Sequence, residues 1–358
     1  MTTVTTYNHD ENEEDRLSGL PEGILLHILS FLTAKKAVQT CILSKRWNNL
    51  WKHVPTLEIY YSHFTIFRSF TQFIYQILSL RDPSSALHTL NIKHINLYHL
   101  LDAKLLKTVL NYAVSYNVER LQMRFKSDIK YFPPCLFSSH TLKYLELYVS
   151  HSSHIIFPNS LNLPELTTLS LRHFYFGCDG GRVEPFSTFN KLKNLKIFLC
   201  SVVGGENLFI SSATLANLIQ IGYPYLGIKF ELYTPSLCYF EFEGTPFQKL
   251  CGRNNNLSSV KHANINLEAR PIHEDTPLAL LNWMIELANI ESLTVSLTAL
   301  QALSLVPDFL KVKFRSLCKL KSLKVEADLL HPSIPHGVIK FLIQNSPSAK
   351  VEFISDID

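Results

Sequence analysis

One short phrase recurs through the middle of the chain: LKYLEL at 142–147, LTTLSL at 166–171 and LKNLKI at 192–197. In each copy the first, fourth and sixth residues are apolar, and those between are polar or aromatic. Working outward, LHTLNI (87–92) and VERLQM (118–123) precede these, and LCYFEF (237–242), IESLTV (290–295) and LKSLKV (320–325) follow. Weaker copies begin at Leu215 and Leu257, and Val351 with Phe353 closes the series. Central positions lie 20 to 33 residues apart, the period of a leucine-rich solenoid. Each unit supplies one short parallel strand, and no unit can bury its leucines alone; stacking gives them a continuous core. The expected fold is an α/β solenoid, a leucine-rich-repeat horseshoe, over residues 61–358.

The spacers differ along the array. Ile66, Phe67, Phe70, Phe73, Ile74, Ile77 and Leu78 form a helical stripe, as do Leu101, Leu105, Leu106, Val109, Leu110 and Ala113. Helical spacing returns at 277–288, 298–310 and 335–344. Between Leu147 and Val260 the spacers are short and rich in Gly, Pro, Asn and Ser. Helices are therefore expected behind both ends, with irregular extended chain behind the middle.

Residues 1–14 are polar and end in an acidic stretch at 10–14, which reads as a disordered acidic tail with no secretory signal. No window holds 18 uninterrupted apolar residues, so no membrane span or membrane partner is expected. The net charge of +4 over 358 residues is too small to suggest nucleic acid as the partner. Seven cysteines (41, 135, 178, 200, 238, 251 and 318) are scattered with no C-x-x-C, which suggests reduced thiols in the cytoplasm or nucleus.

Residues 15–60 have a different grammar. Pro21 and Glu22 open a helix whose apolar positions are Ile24, Leu25, Ile28, Leu29 and Leu32. Ala34, Ala37, Val38, Cys41 and Ile42 make a second stripe. Ser44 is placed to cap a third helix presenting Trp47, Leu50 and Trp51. Three apolar stripes in so few residues exceed what their own core can cover. Lys35, Lys36, Lys45, Arg46 and Lys52 have no acidic residue among them from Gly23 to Leu57. A basic rim round an apolar patch suits an acidic protein partner.

The runs DRLSGLPEGILLHILSFL (15–32) and AVQTCILSKRWNNLW (37–51) closely resemble the F-box of plant F-box/leucine-rich-repeat proteins. The closing run IPHGVIKFLIQNSPSAKVEF (334–353) resembles the C-terminal end of that family. The resemblance implies a small three-helix F-box docking onto an acidic Skp-type adaptor, and through it a cullin ubiquitin ligase. Leu20, Pro21, Ile24, Leu25, Ile28, Leu29 and Trp47 would then share the adaptor-facing and core roles. Thr33-Ala34-Lys35-Lys36 departs from the family's commoner Pro-Thr-Lys-Asp turn, adding charge without removing an apolar anchor.

With the strand leucines inward, the residues between them line the concave face by the two-residue period. Arg120, Arg124, Tyr144, Tyr148, Arg172, Lys196, Phe198 and Tyr239 are the candidates there for holding a protein target of unknown identity, because aromatics and arginines anchor interfaces. Gln122, Glu146, Thr168, Ser170, Asn194, Glu241 and Glu243 accompany them. His151 and His154 lack a cysteine at metal-ligand spacing. The pairs Gly180-Gly181 and Gly204-Gly205 open no phosphate loop, and no G-x-S-x-G elbow occurs. No cofactor, metal or catalytic group is expected. The function expected is a non-catalytic substrate adaptor of a ubiquitin ligase. The alternatives are a repeat scaffold whose F-box no longer docks, and an enzyme built on a repeat frame.

Overall fold

A computed structural model describes residues 17, 19–94, 99–150, 154–159, 161–177, 182–205, 207–222, 228–246, 250, 257–267, 274–287, 289–306, 317–327 and 335–355. The chain forms two compact units, Met1–Thr89 and Leu90–Asp358. Among the described residues no helix is long and apolar enough to cross a membrane.

In the first unit Pro21 holds an extended backbone (φ −56°, ψ 147°) and launches α1, Glu22–Ser30. α2, Ala34–Gln39, tightens at Thr40–Ile42 into a 3-10 turn. The expected third helix does not form. Lys45–Trp47 and Leu50–His53 are two separate 3-10 turns, and the Ser44 hydroxyl makes no capping bond. Asn48 and Asn49 stand between them, and asparagine side chains compete with a helix for backbone hydrogen bonds. Trp47, Leu50 and Trp51 are nonetheless buried. The unit continues through β1, Thr56–Tyr60, and α3, Phe67–Leu80, which buries Phe70, Ile74, Ile77 and Leu78. Arg81, directly after α3, is itself buried, and its guanidinium donates to the carbonyls of Val54, Ser85 and Ala86.

The second unit carries the repeats. After β2 (Thr89–Lys93) and α4 (Ala103–Ser115) come β3 (Arg120–Phe125), β4 (Tyr144–Val149), β5 (Thr168–Arg172), β6 (Asn194–Phe198) and β7 (Asn217–Ile221). Then follow β8 (Tyr239–Glu243), β9 (His262–Asn266), β10 (Ser292–Ser296), β11 (Ser322–Ala327) and β12 (Lys350–Ser355). From β3 to β12 every neighbouring pair is parallel. The register runs Leu121, Leu145, Leu169, Leu195, Leu218, Phe240, Ala263, Leu293, Leu323, Val351, one strand to the next. This is the leucine-rich-repeat sheet that the phrase implies. One copy is displaced from its expected place. The repeat assigned to Leu257 begins three residues later, at Val260, so that Ala263 and Ile265 occupy the inward positions. A small alanine at the central position weakened the signal.

The repeat that supplies β7 contains a chemical exception. In register with Ile197 and Phe242 lies Gln220, 2 % exposed, and its side-chain carbonyl accepts no hydrogen bond from the described residues. An unmet buried carbonyl is a net cost that an apolar side chain of similar shape would avoid. Gln220→Met is expected to raise stability by about 1 kcal/mol, read as a later midpoint in urea unfolding. An unchanged or earlier midpoint would show that the amide has a structural use.

The backing of the sheet changes along it. α4 buries Leu105, Leu106, Val109, Leu110 and Ala113, and Asp102 caps it by accepting the Leu105 N–H at 2.6 Å. α5 (Thr276–Glu286), α6 (Leu297–Ser304) and α7 (His336–Gln344) return near the other end. α5 and α7 lie close to the bounds expected, whereas α6 ends at Ser304, short of the 310 expected; 307–310 are outside the described residues. Behind the middle there are short parallel strands instead: Ile156–Phe157, Tyr175–Phe176 and Ser201–Val202 in one set, Leu208–Ser211 and Phe230–Tyr233 in another. Spacers of this length cannot complete a helix. Their volume is filled by Phe132, Phe137, Phe157, Phe174, Phe176 and Phe186, all buried, with ring centroids 5.5–6.1 Å apart edge to face. Such pairs are favoured by the ring quadrupole as well as by burial.

Candidate functional site

Two surfaces, one in each unit, gather the chemistry. In the first unit the seven F-box candidates divide. Leu25 and Leu29 are fully buried and Trp47 is nearly so; these fill the core. Leu20 and Ile28 are half-buried, whereas Pro21 and Ile24 are exposed, Ile24 at 47 %. Four further apolar side chains are exposed: Leu17, Phe31, Ile42 and Leu43. Ile42, the last member of the second stripe, stands 88 % exposed. The change from α to 3-10 winding at Thr40 alters the rotation per residue and turns it outward. Exposed apolar groups at this density mark an interaction surface.

The cations nearby also divide. Lys36, Lys45 and Arg46 are exposed. Lys35 is drawn inward, its ammonium 4.6 Å from the Phe64 ring centroid and donating to the His63 carbonyl at 2.5 Å. Lys52 is half-buried beside Trp51, and the Arg46 guanidinium donates to the Leu20 carbonyl, tying the approach to α1 onto the later turn.

In the second unit the pairing of β3 to β6 brings seven of the eight face candidates together. Strand alternation turns Arg120 and Arg124, Tyr144 and Tyr148, Arg172, and Lys196 and Phe198 away from the leucine core. Arg124, Tyr144, Tyr148, Arg172, Lys196 and Phe198 line a depression of about 240 Å³ that also includes Glu146 and Ser170. The guanidinium of Arg120 lies 3.9 Å from the Tyr144 ring centroid. Arg124 and Arg172 lie 5.6 and 5.2 Å from Tyr148 on either side, and Arg172 lies 5.3 Å from Phe198. Cation–π contact holds these flexible arginines in place while leaving their N–H groups free to donate. Tyr239 is not part of this cluster; it lies on β8 and its hydroxyl donates to Glu241 at 2.5 Å.

Glu146 ties the cluster together. It accepts from Tyr144 at 2.8 Å and Gln122 at 3.0 Å, and meets Arg124 at 3.5 Å. Burial works against its ionisation, but these donors and the Arg124 charge outweigh it and hold the carboxyl below its ordinary pKa. It therefore stays anionic, and it is the only carboxylate lining the depression. Arg172 and Lys196 have no ion pair among the described residues. Sequence reading placed Glu146 on this face without seeing that it organises three partners from two strands.

Cys200 is buried, which pushes its thiol up to about 12, far from a reactive thiolate. His53, Ser85 and Asp82 meet, but Ser85 (2.7 Å) and Asp82 (3.5 Å) both approach the same nitrogen, Nδ1. A proton relay needs one partner on each ring nitrogen. His154 is exposed and stacks on Tyr175 at 5.2 Å; His151 lies outside the described residues, as do Gly180 and Gly181. No group of three metal-ligating side chains occurs among the described residues.

Comparison with known proteins supplies the last observations. Residues 17–58 match the family model for the F-box domain. An F-box/FBD/LRR-repeat protein of Arabidopsis thaliana is 32 % identical over 213 residues, 59 % of this chain and 48 % of that protein. A second is 31 % identical over 51 % of this chain and 42 % of its own length. An F-box/LRR-repeat protein of the same plant is 28 % identical over 94 % of this chain and 71 % of its length. The match thus spans about half the length of the first two relatives. An F-box over 17–58 thus stands before a leucine-rich-repeat sheet, and along most of its length the chain is similar to F-box/LRR-repeat proteins of Arabidopsis thaliana.

Proposed function

We propose that the chain is a substrate-recruiting subunit of a Skp–cullin–F-box ubiquitin ligase: the F-box docks a Skp-type adaptor and the open face of the repeats holds the target. The observation that carries this is the F-box match at 17–58 together with exposed Ile24, Phe31, Ile42 and Leu43 among exposed Lys36, Lys45 and Arg46. Apolar anchors would supply the contact and the basic groups would orient an acidic partner. Ubiquitin transfer would then arise from proximity, with no catalytic group on this chain. The free cysteines fit a reducing compartment, the cytoplasm or nucleus.

The test is capture of a purified Skp-type adaptor by the full chain and by Ile24→Asp. Ile24 is already half in water, so the variant keeps its fold, whereas charge at the adaptor contact weakens capture by roughly 30-fold or more. If the folded wild type captures no competent adaptor, the ligase role falls and a repeat protein with an unused F-box remains.

A further inference from the structure

The face opposite the helices is sorted by charge. On β3, β5 and β6 it carries Arg120, Arg124, Arg172 and Lys196, with Glu146 the single carboxylate among them. Next, β7 presents Ile219 and Ile221, both half-buried, at the same register positions as Lys196 and Phe198. Then β8 presents Glu241 and Glu243, in register with those isoleucines. Beyond it β9 and β10 offer His262, Asn264, Asn266, Ser292 and Thr294 at these positions, with no carboxylate among them. Cationic, apolar and anionic zones therefore follow one another across six neighbouring strands.

We infer that the target element held here is an extended protein segment of opposite polarity: acidic where it crosses β3 to β6, apolar over β7 and basic over β8. Strands in a sheet are spaced about 4.8 Å apart, so the five steps from β3 to β8 cover about 24 Å. A segment at about 3.4 Å per residue spans that distance in about seven residues. An acidic side chain fits the depression beside Arg172 and Lys196, the two cations that lack an ion pair among the described residues. Ile219 and Ile221 take the apolar middle. Glu241 and Glu243 reject a segment that is acidic throughout.

The same sorting argues against nucleic acid. A polyanion running along the face would meet Glu241 and Glu243. The rings that could stack on bases are already covered, Tyr144 by Arg120, Tyr148 by Arg124 and Arg172, and Phe198 by Arg172.

This inference rests on the open face being the target-binding face. It is tested by fluorescence anisotropy on the full chain, with rhodamine-labelled Glu-Glu-Leu-Ala-Leu-Lys-Lys and its reversed sequence, because the direction of the segment is open. The comparison probes are an all-acidic heptapeptide of the same length and a single-stranded oligonucleotide. One of the two bipolar peptides is expected to bind at least tenfold more tightly than either comparison probe, and to weaken as salt rises. Lys196→Glu, at an exposed position, and Arg172→Gln should each weaken that peptide at least fivefold. The same preparations are assayed for adaptor capture, which neither variant should change. Equal affinity for all peptides, preference for the oligonucleotide, or unchanged binding by both variants overturns the inference. If it fails while adaptor capture persists, the ligase role stands and the polarity does not. If capture fails while the bipolar peptide binds, the reverse holds.

Discussion

Phe157→Ala is expected to remove about 3–5 kcal/mol from the stability of the repeat unit, lowering its thermal midpoint by roughly 10 °C. Phe157 belongs to a strand of only two residues, yet it is 1 % exposed and meets Phe137, Phe174 and Phe176 at 6.0, 5.5 and 6.1 Å. Its loss leaves a hole walled by rings that are themselves held edge to face. Among the described residues no α-helix lies between β4 and β8, so no long rigid element slides inward to fill it. Cost therefore lies near the upper end for a buried aromatic, since it grows with the cavity that remains. Calorimetry of the variant decides the matter. A loss below about 1.5 kcal/mol would mean that the phenylalanine stack relaxes freely and is not what supports the middle repeats.

Arg81→Leu should cost the first unit about 3–5 kcal/mol, the sum of charge-assisted bonds lost and carbonyls left unmet. Arg81 is 3 % exposed; besides Val54, its guanidinium donates to Ser85 at 3.1 Å and Ala86 at 2.7 Å. It joins the end of α3 to the chain on both sides of it. Arg81→Lys is expected to recover little, because a compact ammonium cannot address three carbonyls arranged around a planar fork. Denaturation followed by the near-ultraviolet signal of Trp47 and Trp51, with Trp283→Phe as background, isolates this unit. If the lysine variant matched wild type, charge alone and not the fork would be responsible.

Much of this architecture was legible because a leucine repeat is a rule of position. Whenever Leu, Val, Ile or Phe occupied the first, fourth and sixth places, the strand formed where expected. The reading slipped where a central position held a small residue: Ala263 shifted one repeat by three residues, whereas the copy at Leu215 formed its strand where expected despite the buried Gln220 in its sixth place. The phenylalanine stack was invisible for another reason. Its members come from spacers with no common period, and only pairing of the sheet brings them together. In the F-box, Ile24 and Leu25 look alike in sequence, but the helix buries one and exposes the other. The tryptophan spacing suggests a third helix, and Asn48 and Asn49 divide it into two 3-10 turns. On the repeat face the strand period correctly turned Arg124, Tyr148, Arg172 and Phe198 outward, while their grouping around Glu146 depended on contacts between strands.

Alternation along the strands also bears on how such a protein changes over generations. Tyr144, Glu146 and Tyr148 interleave with Leu145, Leu147 and Val149, so the open face and the core are written on alternate letters of the same short words. A lineage can rewrite the outward letters of one strand, leaving its leucines and the F-box untouched, and change what that face presents without first becoming unstable. Duplication of this gene would accordingly yield copies that keep one core and diverge at the open face, with substitutions concentrated at outward positions of β3 to β8.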